Sequence, residues 1–379
     1  MKALPPHLAK KLQTRADEGA LRSLPGALPL TDFASNDYLG LSGNLALHTA
    51  AQEILTQNQN TAGGATGSRL ITGNHNLYPK AEATIATFHN AESALLFNSG
   101  YDANIGFFSC VPQKNDIVLY DEFIHASIRD GLRLGNAASY KFRHNDLNAL
   151  EKLILQHREK AQEFYIVTES VFSMDGDSPN LKQLAGIAAK YNCRIVIDEA
   201  HAVGIFGTNG EGLIKQTELE DSVFARIVTF GKAMGCHGAA VLGVKELKEY
   251  LVNFARSLIY TTGLPPHAVA TISAAYMLIP QQAEARQALY NNISFFKAEA
   301  QRLNIKGLIA SSSAIQCVVI PGNNKVKQVA AHLQQHGYNI KPILSPTVPK
   351  GQERLRFCLH SYNTRQEISG VLTCLKAIL

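Results

Sequence analysis

From about residue 93 to residue 244, short apolar runs alternate with stretches of helical period. The runs are SALLFN, DIVLYD, ASYKFR, FYIVTES, CRIVIDE, ARIVTF and AAVLGV. Apolar runs of this length without polar alternation predict strands buried on both faces. Between them, NLKQLAGIAAKYN sets Leu184, Ile187, Ala188 and Tyr191 on one helical face. DLNALEKLILQH does the same with Leu147, Leu150, Leu153 and Ile154, behind Asp146 as a plausible N-cap. Strand and helix in alternation predict an α/β protein built on a large, mostly parallel seven-stranded sheet.

The flanks carry other patterns. Residues 1–42 are irregular and contain prolines, with one helix at most. Segments 46–58 and 77–90 read as helices around a glycine-rich loop, TAGGATGSRLITGNHN. VKELKEYLVNFARSLIY and PPHAVATISAAYMLI are helical, and so is a long amphipathic stretch at 283–303. A smaller α/β unit follows: strand IQCVVIPG, helix NKVKQVAAHLQQHG, strand ERLRFCLH and a last helix from 364. The expected plan is an N-terminal arm (1–42), a large α/β domain (43–282) and a small C-terminal α/β domain (283–379).

Composition narrows the class. The chain has 379 residues, 46% hydrophobic and only 18% charged, which suits a large buried interior. A net charge of +5 without a long basic run gives no reason to expect nucleic acid. Six cysteines lie far apart with no CxxC pair, so spacing predicts reduced thiols and no metal site. No apolar stretch approaches a membrane span, and MKALPPHLAKKLQ lacks a signal-type apolar core. A cytoplasmic protein that meets no membrane is expected.

Three of the predicted strands end in polar residues: FYIVTES runs into VFSMDGD, RIVIDE into AHAVG, and ARIVTF into GKAMG. Parallel sheets bind ligands beyond their strands' carboxyl ends, so Ser173, Asp198, His201 and Lys232 belong on one edge. A fourth strand, ALLFN, leads into SGYDAN and a helix whose first free amides suit an anion. Taken singly, Asp198 is as readily a helix cap, His201 a structural histidine and Lys232 a surface lysine. DEAH (198–201) spells a helicase box, but the only GK, at Gly231–Lys232, is followed by Ala233 and has Arg226 five residues before it. No phosphate loop exists, and GIFGTNGEG does not match a dinucleotide fingerprint. An acid and a lysine on successive strand ends do fit pyridoxal phosphate chemistry. The carboxylate keeps the ring nitrogen protonated, and a desolvated lysine can bond the cofactor and move a proton.

FASNDYLGLS (33–42), GGATGSRLITGNHNLY (63–78), LLFNSGYDAN (95–104), DEFIHASIRDG (121–131), TESVFSMDGD (168–177), IDEAHAVGIFG (197–207), TFGKAMGCHGAA (229–240) and IYTTGLPP (259–266) together resemble the α-oxoamine synthases. These are fold-type I, pyridoxal-phosphate-dependent transferases that condense an amino acid with an acyl thioester and lose carbon dioxide. The resemblance implies Lys232 as the cofactor-bonding lysine, Asp198 on the pyridinium nitrogen, His201 on the phenolic oxygen and His125 stacked on the ring. It implies Gly100, Tyr101 and Thr229 around the phosphate and Ser173 near the cofactor oxygen. It implies a homodimer with the site at the subunit interface, where Thr261 or Thr262 reaches the other copy's phosphate. Asn36 and Arg356 would grip the substrate carboxylate, with Arg22 and Thr347 near the substrate.

The GATGSRLITGNH loop and the TVPKGQERLRF segment (347–357) are similar to the members that join L-alanine to a pimeloyl thioester, on CoA or an acyl carrier protein. Members that use glycine or serine with another acyl-CoA are the alternative. The family's usual hairpin before SNDYLG is shortened to LPGALPLTD (24–32). Other fold-type I enzymes, such as aminotransferases or aldolases, share Asp198 and Lys232 but leave HAS, SVFSMDGD and GATGSRL without a reason. A non-enzymatic nucleotide-binding protein would account for DEAH and GK alone.

Overall fold

The computed structural model describes residues 4–24, 26 and 29–379. In chain order its strands are β1 (Thr31–Asp32), β2 (Ser93–Phe97), β3 (Ile117–Asp121), β4 (Ala138–Phe142), β5 (Phe164–Glu169) and β6 (Arg194–Asp198). Then come β7 (Ala225–Thr229), β8 (Ala239–Gly243), β9 (Ile315–Val319), β10 (Tyr338–Asn339), β11 (Lys341–Ile343) and β12 (Arg354–Cys358). The chain divides into two compact units: 36–173 with 178–286, and 1–35 with 174–177 and 287–379.

The larger unit holds a seven-stranded sheet in the order β2-β8-β7-β6-β5-β3-β4. Its strands are the seven apolar runs read from the sequence. All neighbours are parallel except β8, which runs antiparallel to both β2 and β7. Alternate residues of the central strands β3, β5 and β6 enter different cores. Val118, Val167 and Val196 pack with Phe107, Ile128 and Leu251, while Leu119, Ile166 and Ile197 pack with Leu150, Leu184 and Ile214. Both faces are therefore dry along these inner strands, which is why they show no polar alternation, whereas the edge strand β4 is exposed at four of its five residues.

The helices start where local chemistry satisfies their free amides. Asp146 accepts from the Ala149 amide at 2.9 Å and opens helix Leu147–His157. Asn180 accepts from Gln183 at 3.1 Å and opens Leu181–Tyr191, which ends on Asn192 at φ 53°. Leu184, Ile187 and Ala188 are buried along the expected face, with Tyr191 partly exposed.

The smaller unit has a three-stranded antiparallel sheet, β11-β12-β9, with helices Asn323–Gln335 and Arg365–Ile378. Thr364 and Glu367 close a capping box on the last helix. β1 pairs in parallel with β10, so residues 1–35 group with the C-terminal residues. This departs from a separate arm ending at residue 42, because even a two-residue ladder ties the segment down. The shortened hairpin expected at 24–32 falls partly on residues 25, 27 and 28, which lie outside the described ones. Residues 174–177 also join this unit: Arg354 pairs with Asp175, and Ser311 Oγ donates to the Gly176 carbonyl at 2.8 Å. Gly176 has φ 75° and sits where a Cβ would strike the Ile315 carbonyl, so no other residue fits.

Candidate active site

At the carboxyl edge of the large sheet, β5 ends in Glu169, β6 in Asp198 and β7 in Thr229. Glu169 lies in register with Asp198 across the ladder. A cavity of about 240 Å³ opens there, and its walls include Gly100, Tyr101, His125, Asp198, His201, Thr229 and Lys232. Seven of the residues singled out from the sequence thus meet in one place.

Lys232 lies in the turn between antiparallel β7 and β8. The Phe230 amide donates to the Gly238 carbonyl at 2.9 Å, and Cys236 donates back to Phe230 at 2.8 Å. Gly235 donates to the Lys232 carbonyl at 2.9 Å and adopts φ 64°. The backbone below the lysine is thereby fixed on both sides.

Asp198 is 5% exposed. Its Oδ1 accepts from the Ala200 amide at 2.9 Å, and its Oδ2 accepts from Asn104 Nδ2, also at 2.9 Å. The second hydrogen of that amide goes to Ser127 Oγ at 3.0 Å. Ser127 Oγ lies 2.7 Å from His125 Nδ1, and the Ser127 amide donates to the same nitrogen at 3.3 Å. Nδ1 is therefore an acceptor, and neutral His125 carries its proton on Nε2. Burial holds the His125 pKa below 6.5, and Lys232 pushes the same way against the opposing pull of Asp198. A continuous chain of hydrogen bonds therefore joins the acid to the imidazole. Tyr38 orients the second histidine: its hydroxyl lies 2.8 Å from His201 Nδ1 and donates to Asn36 Oδ1 at 3.1 Å.

Glu169 is fully buried beside this set. Burial first, and the neighbouring Asp198 carboxylate second, push its pKa up to about 8. Two acids at one strand edge thus drive Glu169 towards its protonated form.

Ser99 caps helix Gly100–Cys110 by accepting from the Asp102 amide at 3.1 Å, and Ser99, Gly100 and Tyr101 reach the cavity wall. A Cβ on Gly100 would come within 2.5 Å of Thr229 Cγ2, so glycine lets the helix start seat against β7. Three buried polar atoms of the wall have no hydrogen-bond partner among the described residues: Asn104 Oδ1, Glu169 Oε1 and Thr229 Oγ1. Buried orphans of this kind mark a place where a ligand's polar atoms belong. Pyridoxal phosphate fits the donor set: a helix N-terminus and Thr229 hydroxyl for the phosphate, a carboxylate for the ring nitrogen, and a lysine for the aldehyde carbon.

The remaining candidates are not among the residues that line this cavity. Ser173 is buried, and its amide bonds the Glu169 carboxyl, but it is not part of the cavity wall. Asn98 Nδ2 donates to Thr261 Oγ1 at 3.2 Å and to the Thr262 carbonyl at 2.7 Å, and neither threonine lines the cavity. In the smaller unit Arg22 Nη2 donates to Thr347 Oγ1 at 3.3 Å. Arg356 is partly exposed on β12, across from Lys341 and Cys317. Sequence reasoning passed over Asn104, Ser127, Glu169 and Tyr38, although each sits inside a quoted motif (SGYDAN, HAS, TES, NDYLG).

A family model described as "Aminotransferase class I and II" matches residues 29–373. An 8-amino-7-oxononanoate synthase from Emericella nidulans is 39% identical over 396 residues, spanning 98% of this chain and 95% of that one. A serine palmitoyltransferase from S. paucimobilis, solved with PLP bound, superposes with a TM-score of 0.89 at 27% identity, covering 98% of this chain and 96% of that one. An 8-amino-7-oxononanoate synthase structure from Francisella tularensis gives 0.78 at 29%, covering 92% and 97%. With this site and these likenesses along nearly its whole length, the chain belongs to the class I and II aminotransferase family and, within it, to the α-oxoamine synthases, acyltransferases that depend on pyridoxal phosphate.

Proposed function

We propose that this chain joins L-alanine to a pimeloyl thioester, carried by CoA or an acyl carrier protein, and releases 8-amino-7-oxononanoate, carbon dioxide and free thiol in the cytoplasm. The observation that carries the reading is Lys232 and Asp198 in one cavity with the start of helix Gly100–Cys110, in a chain 39% identical to a synthase of that name. Bound pyridoxal phosphate supplies an electron sink for the pair left on the amino acid's α-carbon.

Asp198 would hold the proton on the ring nitrogen, and Asn104 and the Ala200 amide keep that carboxylate aimed. Lys232 would bond the cofactor between turnovers. Once displaced by alanine, it would remove the α-proton, so that this carbon attacks the thioester and expels the thiol. The same lysine would return a proton after carbon dioxide leaves. His125, neutral through burial, would stack on the ring, while His201 and Ser173 would serve its oxygen. Gly100, Tyr101 and Thr229 would receive the phosphate, and Thr261 or Thr262 would do so for the second copy in a homodimer. Asn36, Arg356, Arg22 and Thr347 would hold substrate; an arginine–carboxylate fork also fixes which α-carbon bond is broken.

A second reading, with glycine or serine and another acyl-CoA, draws on the higher TM-score to the serine palmitoyltransferase, 0.89 against 0.78. Thiol release across a panel of amino acids and acyl thioesters separates the two. Release with L-alanine and pimeloyl thioester is the expected result. Thiol only with glycine or serine, or only with a long acyl chain, would sink the first reading.

A further inference from the structure

Spacing along the chain hides one cluster that folding assembles. Helix Asn323–Gln335 carries His332 in its last turn, His336 caps that turn, and helix Arg365–Ile378 carries Cys374. One ligand atom from each of these three side chains lies within 4.8 Å of the other two. A tetrahedral Zn²⁺ with bonds of about 2.0–2.3 Å holds such atoms roughly 3.3–3.6 Å apart, so rotamer adjustments suffice.

The chemistry of each group agrees. His336 Nδ1 lies 2.8 Å from the His332 carbonyl. A carbonyl only accepts, so Nδ1 is the donor and Nε2 keeps its lone pair, the arrangement of a metal-binding imidazole with its second nitrogen anchored. The two rings stand four residues apart on one helical face, with centroids 4.2 Å apart. Both sit at the helix's C-terminal end, where carbonyl dipoles favour a cation. Cys374 is a free, partly exposed thiol and faces Tyr338, just after the turn. None of these residues belongs to the catalytic cavity.

We propose that His332, His336 and Cys374 form a Zn²⁺-binding site with solvent as the fourth ligand. Two imidazoles and a thiolate suit Zn²⁺ over Mg²⁺ or Ca²⁺. The ion would tie the C-terminal helix to the turn that leads into β10, and it takes no part in the acyl transfer.

Co²⁺ is the probe, added to the full-length holoenzyme, because four-coordinate cobalt absorbs in the red, clear of the cofactor. Wild type should show that absorption together with a thiolate-to-cobalt charge-transfer band, and Zn²⁺ should displace both. Cys374→Ser should abolish the charge-transfer band, and His332→Gln or His336→Gln should weaken Zn²⁺ binding by about tenfold or more. Turnover should be unchanged in all three, which shows that they are folded. No four-coordinate cobalt spectrum in wild type, or a charge-transfer band that survives in Cys374→Ser, would overturn the proposal.

Discussion

Two of the polar clusters buried in the larger unit are built to different ends. At the strand edge, Asp198, Asn104, Ser127 and His125 form a chain of hydrogen bonds in which Asn104 Oδ1 is left orphaned on the cavity wall. The second cluster surrounds His89, which is fully buried. Its Nδ1 meets the Glu211 carbonyl at 2.9 Å, its Nε2 meets the Tyr276 hydroxyl at 2.8 Å, and its carbonyl accepts from Arg226 at 2.5 Å. Arg226 Nη1 in turn faces Glu199 Oε2 at 4.0 Å. The histidine here has both nitrogens engaged by protein, so it offers nothing to a ligand. Burial and charge alone do not distinguish the clusters; what distinguishes them is where their leftover polar atoms face, since Arg226 Nη1 and Glu199 Oε2 face each other while Asn104 Oδ1 belongs to the cavity wall.

Three changes test that distinction, in falling order of effect. Lys232→Ala should lower turnover on the order of 10⁴-fold or more, with loss of the visible cofactor band and a melting temperature close to wild type. Residual turnover within tenfold of wild type would remove Lys232 from the chemistry. Arg226→Met should do the reverse. It strands the buried Glu199 and the His89 carbonyl, costing about 3–5 kcal/mol in chemical denaturation, with kcat per folded molecule unchanged. A matching drop in kcat would mean that the two clusters act as one.

The third change reads pH. Burial lowers the His89 pKa from 6.5 to about 3. Above 6.5 the imidazole is neutral whether folded or not, and its contribution is intact. As pH falls from 6.5 towards 3, the unfolded chain takes up a proton that the folded one refuses, so stability declines across that window. His89→Gln should make this decline shallower, seen as a smaller shift of the denaturation midpoint between pH 7 and pH 4. An identical slope in both proteins would show that His89 does not titrate with unfolding.

Much of this was legible in the sequence, for identifiable reasons. Six of the seven strands announced themselves because both sheet faces are buried along them, while the exposed edge strand β4 was legible only from its place in the alternation of runs and helices. Asp198, His201 and Lys232 were legible because strand ends in such sheets gather ligands. The reversal of β8 was not, because AAVLGV looks alike in either direction. Asn104 and Ser127 were passed over because their importance lies in joining Asp198 to His125, a relation between distant segments that no local pattern records. Glu169 was read as part of a strand, and only its register with Asp198 reveals a second carboxyl at the edge. The short pairing of β1 with β10 was equally invisible, since two residues make no pattern.

The reversed strand β8 sets a limit on how this site can vary. It is laddered to β7 through Thr229↔Ala239 and to β2 through Phe97↔Ala239, so one residue keeps count for three strands. Side chains in a strand alternate between faces with a period of two. Removing a single residue between Thr229 and Ala239 would shift β8 by one place and turn its inward residues outward against both neighbours. The lysine turn therefore cannot be shortened to move its amine without turning part of the sheet inside out. Variation in what this site accepts has to come from the walls around the lysine, while the lysine's place in the chain stays locked to the count of the sheet.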